Sequence, residues 1–323
     1  MTEFSLIDRF RQRAGSRPDV ALGIGDDAAL LDPPKGQQVV LAVDTLVEGV
    51  HFARGVPASA IGWKALAVNL SDLAAMGAEP AAALLALTLP EDDAGFVEEF
   101  AVGFSALADT HRVALIGGDT TRGPLTVSVT AVGYVPKGKA LTRAGARAGD
   151  DLWVTGTLGD AAGALALWKS GIPMLRTGRL RERLDRPTPR LGAGLALRGL
   201  ATACIDVSDG FLADLGHLLA MSGLGADVEA DALPASPALL EAFPDPRLRR
   251  DLQLTGGDDY ELCFSAPVAR REAVRTALDA AATPATRVGT LVAGARLRLF
   301  DADRLPLPLP ARRGYVHFAG GGA

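Results

Sequence analysis

The chain has 323 residues, of which 48% are hydrophobic, 22% are charged and only 5% are aromatic, and its net charge is −5. This composition is typical of a globular protein, and the length suits two domains better than one core. The negative charge argues against general binding to nucleic acids or anionic membranes. No apolar run reaches the roughly 18 residues of a membrane span, and the N-terminus lacks a secretory pattern, so we expect a cytoplasmic protein.

The first half of the chain predicts two strands with two helices between them. Residues 38–43 (QVVLAV) form an apolar run typical of a buried strand, and residues 125–135 (LTVSVTAVGYV) alternate like another. The first helix is predicted over roughly 58–76 and ends at Gly77, and the second over roughly 92–110.

A candidate domain joint follows at 136–150 (PKGKALTRAGARAGD), which is basic and poor in large apolar residues. We therefore expect an N-terminal domain of residues 1–137 and a C-terminal domain of residues 138–323. A strand is predicted at 151–156 (DLWVTG), and TLGDAAGALALW continues into a helix. Mixed strands and helices in two blocks indicate α/β or α+β domains.

Three more features are predicted in the C-terminal part. Residues 171–192 contain six arginines and three prolines and read as a solvated loop region. Residues 268–282 read as a helix. Residues 287–300 read as a hairpin that turns at Ala293-Gly294.

Several aspartates lie in apolar, small-residue surroundings that differ from a solvated helix face. Each can be a turn aspartate or a helix cap, and this alternative is strongest for Asp209, because SDG before an apolar helix is usual N-cap chemistry. Asp44 and Asp72 do not fit cap positions. The set comprises Asp26 and Asp27 in GIGDDAALL, Asp44 in AVDTLVEGVHF, Asp72 in NLSDLAAMG, Asp119 in LIGGDTTRG, Asp206 and Asp209 in IDVSDG, and Asp258 and Asp259 in GGDDYELCF.

Converging carboxylates need a cation, because two of them about 4 Å apart repel by about 4 kcal/mol at an effective dielectric near 20. The chain has only four histidines and two cysteines, which disfavours zinc or iron. Cys204 and Cys263 lie in apolar runs without a CxxC partner, and we expect buried free thiols. Several Mg²⁺ ions on carboxylate oxygens are therefore the expected counter-charge.

Since Mg²⁺ shares its shell readily with phosphate oxygens, a nucleotide site is the next hypothesis. Neither a GxxxxGK[ST] loop nor the HRD and DFG motifs of protein kinases occur. The glycines of LIGGDTTRG, VTGTLGDAAG and LTGGDDYE would let peptide N–H groups approach phosphates. Arg122 and Arg143 are candidate phosphate contacts, with a solvated surface arginine as the alternative for each.

Taken together and in order, these motifs resemble those of thiamine-monophosphate kinases. The resemblance runs from about residue 4 to residue 318 through GIGDDAALL, DTLVEGVHF, KALAVNLSDLAAMGAEP, LIGGDTTRGPL, ALTRAG, VTGTLGDAAG, IDVSDG and GGDDYELCF. It implies transfer of the γ-phosphoryl group of ATP to thiamine monophosphate, giving thiamine diphosphate and ADP. It also implies the two-domain fold of the aminoimidazole ribonucleotide and selenophosphate synthetase superfamily. That fold has an N-terminal sheet-and-helix domain that forms a homodimer and a mixed α/β C-terminal domain, with ATP in the cleft.

The resemblance assigns site residues by motif. It implies Mg²⁺ ligands at Asp27, Asp44, Asp72, Asp119, Asp206 and Asp209, ATP contacts at Gly118, Asp119, Arg143 and Ser208, and substrate contacts at His51, Asp258 and Tyr315. The chain departs from the family pattern at two places. Asp258 stands where the family often has Glu, and Ala42-Val43 replace hydroxyl residues before the aspartate of DTL.

The implied chemistry requires no protein nucleophile, because the acceptor is a phosphate oxygen that is already anionic at neutral pH. Three other functions stay open at the level of sequence. They are a superfamily reaction on a different acceptor, a Mg²⁺-dependent phosphohydrolase, and a nucleotide-binding sensor without turnover. His51 as a core or capped histidine and Tyr315 as a packing residue are the alternatives to substrate contact.

Overall fold

The structure is a computed structural model that describes residues 9–172 and 178–318. The chain separates into two compact units, here called the N-terminal and the C-terminal domain. The first comprises Met1–Leu73 and Ala78–Ala140, and the second Ala74–Gly77 and Leu141–Ala323. Within the described ranges, no helix combines the length and the apolar character that crossing a membrane requires.

The first part of the chain forms a four-stranded sheet, two long helices and a small ribbon. The elements are β1 (Val20–Leu22), β2 (Leu30–Leu31), β3 (Gln37–Val47), α1 (Ala58–Ala75), β4 (Glu79–Leu89), α2 (Ala94–His111), β5 (Ala114–Arg122) and β6 (Thr126–Pro136). The sheet order is β3-β6-β4-β5, with β4 and β5 parallel and the other pairs antiparallel. The two strands and two helices predicted from the sequence are confirmed. The predicted burial of 38–43 is wrong, because β3 is an edge strand and its Val39, Leu41 and Val43 are exposed.

The two faces of this sheet have different partners. Helix α1 lies against the face that carries Gly133, because a Cβ placed on Gly133 would lie 3.1 Å from the Leu73 side chain. The opposite face is covered near Val132 and Ile116 by apolar residues of the β1-β2 ribbon and the loop between its strands.

The C-terminal domain is built on a seven-stranded sheet with helices packed against it. The elements are β7 (Asp151–Thr155), α3 (Asp160–Lys169), α4 (Gly178–Asp185), α5 (Leu191–Ala196), β8 (Ala203–Val207), α6 (Phe211–Ser222), β9 (Leu224–Glu229), α7 (Pro237–Ala242), α8 (Pro246–Thr255), β10 (Glu261–Ala266), α9 (Arg271–Ala280), β11 (Ala285–Ala293), β12 (Leu297–Phe300) and β13 (Pro306–Leu307). The sheet order is β13-β12-β9-β11-β7-β10-β8. Helix α6 packs its apolar residues against this sheet in one continuous core, and a second, smaller core joins helices α3, α4 and α7.

Two predictions for this domain are wrong. Strands β11 and β12 do not form a hairpin, because β9 lies between them, antiparallel to β11 and parallel to β12. In 171–192, whose residues 173–177 lie outside the described part, helices α4 and α5 replace the expected solvated loop. The side chains of Arg183 and Arg190 in this stretch are mostly buried. Both form ion pairs with the fully buried Glu261, so they are not solvated as predicted.

Candidate active site

The centre of the candidate site is the SDG loop, defined as Ser208-Asp209-Gly210, between strand β8 and helix α6. Asp206 is buried near the end of the strand, and Ser208 and Asp209 are half-buried. Gly210 has a φ of 131°, and a Cβ there would lie 2.8 Å from the Thr255 carbonyl oxygen. The loop therefore requires glycine at this turn.

Asp214, in the first turn of α6, holds the SDG loop by its backbone. Its Oδ2 atom accepts hydrogen bonds from the N–H groups of Ser208, Asp209 and Gly210 at 3.0, 3.1 and 3.1 Å. Burial, followed by the charge of Asp206, raises the pKa of the Asp214 carboxyl to about 7, although the N–H donors oppose the shift. The side chain of Asp209 does not cap the helix, so that alternative for Asp209 is excluded.

The turn that carries Asp258 is attached to the same loop. The N–H of Asp258 donates to the Ser208 carbonyl, and the N–H of Tyr260 donates to the Val207 carbonyl, both at 2.8 Å. Asp258 and Tyr260 have left-handed φ values of 68° and 51°. The Tyr260 hydroxyl donates to Oδ1 of Asp258 at 2.9 Å and orients its carboxylate. Strained backbone of this kind is typical of functional sites.

The C-terminal segment places Tyr315 next to the Asp209 carbonyl of the SDG loop. The N–H of Tyr315 donates to the Asp209 carbonyl at 2.8 Å. Gly314 precedes it, and a Cβ there would lie 2.7 Å from the Asp209 carbonyl oxygen and 2.6 Å from Cβ of Ala213. Tyr315 is 41% exposed. The SDG loop thus gathers four predicted site residues: Ser208, Asp209, Asp258 and Tyr315.

Arg143 is not part of this group. Its backbone carbonyl accepts a hydrogen bond from the Ser222 hydroxyl at 3.0 Å. Ser222 is the last residue of α6, at the end opposite the SDG loop. A helix of 12 residues is about 18 Å long, so the backbone of Arg143 is far from Ser208.

In the N-terminal domain, Asn69 connects the segments that carry Asp44 and Asp72. Its Oδ1 accepts a hydrogen bond from the Asp44 N–H at 3.0 Å, and its amide nitrogen donates to the Ala65 carbonyl. Asp72 lies one turn further along α1, three residues from Asn69, on the same side of the helix. Asn69 is fully buried, and the sequence does not identify it as a site residue, since one amide in an apolar helix gives little signal.

His51 is held in the turn after β3. Its Nδ1 accepts a hydrogen bond from the Val47 N–H at 2.9 Å, and its carbonyl accepts one from Nζ of the buried Lys64 at 3.1 Å. With Nδ1 as an acceptor, the ring proton of a neutral His51 belongs to Nε2. The ring therefore has a fixed orientation, whichever role it has.

Asp119 and Asp44 do not come together within one chain. The strands that carry them, β5 and β3, are the two edges of the four-stranded sheet, so they are about 14 Å apart. The register pairs Asp119 with Ala86, Ser128 and Thr45, so Asp119 and Asp44 lie on opposite faces. Gly118 is required here, because a Cβ would lie 1.8 Å from the Leu85 carbonyl oxygen.

Asp26 and Asp27 lie in the exposed loop between β1 and β2. The Asp26 carboxylate accepts a hydrogen bond from the Asp27 N–H at 2.8 Å, as a turn aspartate does. The Asp27 side chain is exposed. The turn therefore uses the carboxylate of Asp26 and not that of Asp27.

The carboxylates of the C-terminal domain fit Mg²⁺ by chemistry. Asp206 and Asp209 are near enough to Asp214 for their charges to raise its pKa, and such repulsion favours a divalent cation. The donors are all hard oxygen atoms. In residues 9–172 and 178–318, no group of three or more His, Cys, Asp and Glu side chains is arranged as a complete metal site.

Two family models match the chain, both described as AIR synthase related protein. The N-terminal domain model matches residues 25–135, and the C-terminal domain model matches residues 147–302. Together they span both domains of the structure. This match agrees with the mixed α/β fold expected from the sequence.

Thiamine-monophosphate kinases are similar to the chain over nearly its full length. The enzyme of Salmonella typhimurium is 46% identical over 321 residues, 98% of each chain. The crystal structure of the enzyme from Stenotrophomonas maltophilia K279a is 54% identical, with a TM-score of 0.87 over 93% of this chain and 96% of that one.

A ligand-bound structure has the same fold. That structure, AaThiL complexed with AMPPCP and TMP, is 31% identical, with a TM-score of 0.77 over 98% of this chain and 97% of that one. Full-length identity, both domain models and the ordered motifs agree. The chain is a member of the thiamine-monophosphate kinase family.

Proposed function

We propose that this chain transfers the γ-phosphoryl group of ATP to thiamine monophosphate, giving thiamine diphosphate and ADP. The observation that carries the proposal is the SDG loop. Its side chains are those assigned by resemblance to ATP and metal, and its carbonyls hold the residues assigned to the acceptor, Asp258 and Tyr315. One rigid loop therefore connects the groups that would hold the two substrates.

Asp258 and Tyr315 suit a cationic acceptor. The thiazolium ring of thiamine carries a positive charge, which a carboxylate oriented by Tyr260 can pair with. The exposed ring of Tyr315 already has the Arg312 guanidinium carbon 5.9 Å from its centroid, so its face can accept a cation. His51 is proposed as a contact for the acceptor phosphate through Nε2–H.

The transfer is proposed to be direct and in line. The acceptor phosphate oxygen is anionic at neutral pH, so no side chain must remove a proton to activate it. The work of the protein is then to orient two polyanions and to exclude water. We expect no labelled phosphate on the protein after acid quench during turnover with γ-labelled ATP, and a stable phosphoprotein would contradict this.

Bound Mg²⁺ supplies neutralisation of the phosphate charge in the ground and transition states. The residues proposed to hold it are Asp27, Asp44, Asp72, Asp119, Asp206 and Asp209, whose oxygen donors match its preference. Ser208, Gly118, Asp119 and Arg143 are proposed as ATP contacts. For Arg143 the support is the motif resemblance alone.

We also propose a homodimer formed through the exposed face of the N-terminal sheet. Val39, Leu41 and Val43 of edge strand β3 are 46%, 67% and 64% exposed, and Leu84 of β4, on the same face of the sheet, is 36% exposed. An uncovered apolar edge strand is a pairing surface. Asp119 lies on the same face. In a dimer formed through this face, Asp119 would lie near carboxylates of the second copy. The carboxylate of Asp44 in its own chain lies on the opposite face of the sheet.

A cytoplasmic location is proposed on the state of the cysteines. Cys204 and Cys263 are buried free thiols, as predicted. Unpaired thiols are usual in a reducing compartment.

Phosphorus NMR tests the function directly. The protein is incubated with ATP and excess Mg²⁺, with and without thiamine monophosphate, and thiamine diphosphate and ADP are expected only with the acceptor. Phosphate release in both samples would indicate a hydrolase instead. Intact ATP in both would indicate a different acceptor or a nucleotide sensor. Asp72→Asn should lower the rate at limiting Mg²⁺, whereas Asp109→Asn, on an exposed helix position, should not.

A further inference from the structure

Asp214 is buried in the C-terminal domain and belongs to none of the residue groups assigned above to metal, ATP or acceptor. Only 4% of it is exposed. It follows the SDG loop in the first turn of α6, where its side chain can reach back to the loop.

The Asp214 carboxylate accepts hydrogen bonds from three consecutive backbone N–H groups at the start of α6, as a capping side chain does. One oxygen accepts the N–H groups of Ser208, Asp209 and Gly210 at 3.0–3.1 Å. Those three N–H groups precede or open the helix and have no carbonyl partner within it. With all three bound to one atom, the backbone of the loop has little freedom to rotate.

The opposite side of the same loop is bound by the acceptor residues. The Ser208 carbonyl accepts from the Asp258 N–H, and the Asp209 carbonyl accepts from the Tyr315 N–H. Rotation of either peptide would move its N–H and its carbonyl together. A loop released by Asp214 would therefore displace Asp258 and Tyr315 along with the side chains of Ser208 and Asp209.

We propose that Asp214 is a positioning residue that, through the SDG loop, sets the geometry of the nucleotide side and of the acceptor side at once. The inference rests on the proposed function, which assigns these two sides. It predicts that one substitution at a residue touching neither substrate weakens the binding of both.

The test compares Asp214→Asn and Asp214→Ala with the wild type by calorimetry. Dissociation constants are measured for AMPPCP with excess Mg²⁺ and, separately, for thiamine monophosphate. Asn keeps the volume and one acceptor oxygen but loses the charge, so it should raise both constants about 5-fold or more, and Ala should raise both further. If Ala does not fold, Asn alone decides.

The control is Asp151→Asn in the same domain. Asp151 is 1% exposed and pairs with Arg271 at 2.6 Å, away from the SDG loop on strand β7. Asp151→Asn should lower the melting temperature and leave the dissociation constants of both ligands within about 2-fold of the wild type. The control therefore distinguishes a positioning effect of Asp214 from a general loss of stability. Wild-type constants in folded Asp214→Asn, or a rise for one ligand alone, would overturn the inference.

Turnover of the wild type is measured in the same preparation by phosphorus NMR. A wild type that forms no thiamine diphosphate would refute the proposed function. An active wild type whose Asp214 variants bind both ligands normally would refute the positioning role alone. The two failures are therefore distinguishable.

Discussion

At the scale of single residues, glycines set how closely helices α1 and α2 approach each other. A Cβ on Gly62 would lie 2.2 Å from the Phe100 carbonyl oxygen, and one on Gly103 would lie 1.7 Å from the Ser59 carbonyl oxygen. Both contacts are with backbone, which cannot rotate away as a side chain can. The two helices therefore meet at their glycines, and α1, which carries Asp72, takes its position partly from them.

Gly103→Ala should destabilise the protein, because the added methyl group forces the two helices apart. We expect a loss of about 1–3 kcal/mol or more. The measurement is the melting temperature by calorimetry. Gly216→Ala is the control, since nothing other than its chain neighbours and its own helix backbone lies within 4 Å of the added Cβ, and alanine favours a helix by up to about 1 kcal/mol. Equal melting temperatures for the two variants would contradict the packing.

Asp258→Asn should raise the KM for thiamine monophosphate while leaving the KM for ATP unchanged. Asparagine tolerates the left-handed backbone at φ 68° and keeps the side-chain shape, so only the charge is lost. A charge-assisted contact is worth about 1.5–3 kcal/mol, which corresponds to a rise of about 10-fold or more. Steady-state kinetics test this, with exposed Asp279→Asn as the control. An unchanged acceptor KM would remove Asp258 from the substrate contacts.

At the scale of elements, a buried ion-pair network joins β7, β10, α4 and the segment before α5. Glu261 is fully buried and accepts hydrogen bonds from the Thr155 hydroxyl at 2.7 Å, from Arg183 at 2.7 Å and from Arg190 at 2.6 and 2.5 Å. Arg183 also donates to the Asp259 carbonyl at 2.9 Å. The network thus holds the strand that leads directly out of the Asp258 turn.

Glu261→Gln should cost about 3–5 kcal/mol of stability, because it leaves the mostly buried Arg190 without its counter-charge and Arg183 with only Asp160 at 4.0 Å. Chemical denaturation followed by circular dichroism measures it. The matched control is Asp227→Asn, which breaks the partly exposed pair with Arg298 and should cost at most about 1 kcal/mol. Similar losses for both variants would show that the network contributes no more than a surface pair.

At the scale of the whole molecule, the exposed apolar face of β3 predicts the oligomeric state. Val43→Lys should convert a dimer of twice 33.4 kDa into a monomer, because a charge would be buried in the dimer. Light scattering after gel filtration measures the mass. Val268→Lys, at an exposed position in the C-terminal domain, should remain dimeric. A monomeric wild type would contradict the proposed dimer.

The sequence by itself determined which residue types are available and part of the local structure. The strands at 38–43 and 125–135 and the two helices between them are correct as elements, because hydrophobic periodicity is a local signal. The predicted burial of 38–43 is wrong, because it depends on the place of the strand at the edge of its sheet. The buried free state of Cys204 and Cys263 follows from their apolar neighbours. The motif order gave the family, which the full-length relatives confirm.

Tertiary structure alone decided which segments meet. The placement of β9 between β11 and β12, and the burial of Arg183 and Arg190 against Glu261, depend on partners far away in the chain. An arginine-rich stretch has the same composition whether it is solvated or paired with a buried carboxylate, so no local pattern separates the two. Strand adjacency is likewise a long-range property that turn chemistry alone cannot specify.

In the candidate site, too, the sequence determines some features and the tertiary structure determines others. The SDG motif is visible in the sequence, but its hydrogen bonds to Asp214, Asp258 and Tyr315 join segments up to about a hundred residues apart. The sequence also could not show that Asp44 and Asp119 occupy opposite edges and faces of one sheet. Residue identity determined the chemistry, and pairing between distant strands decided which carboxylates can act together.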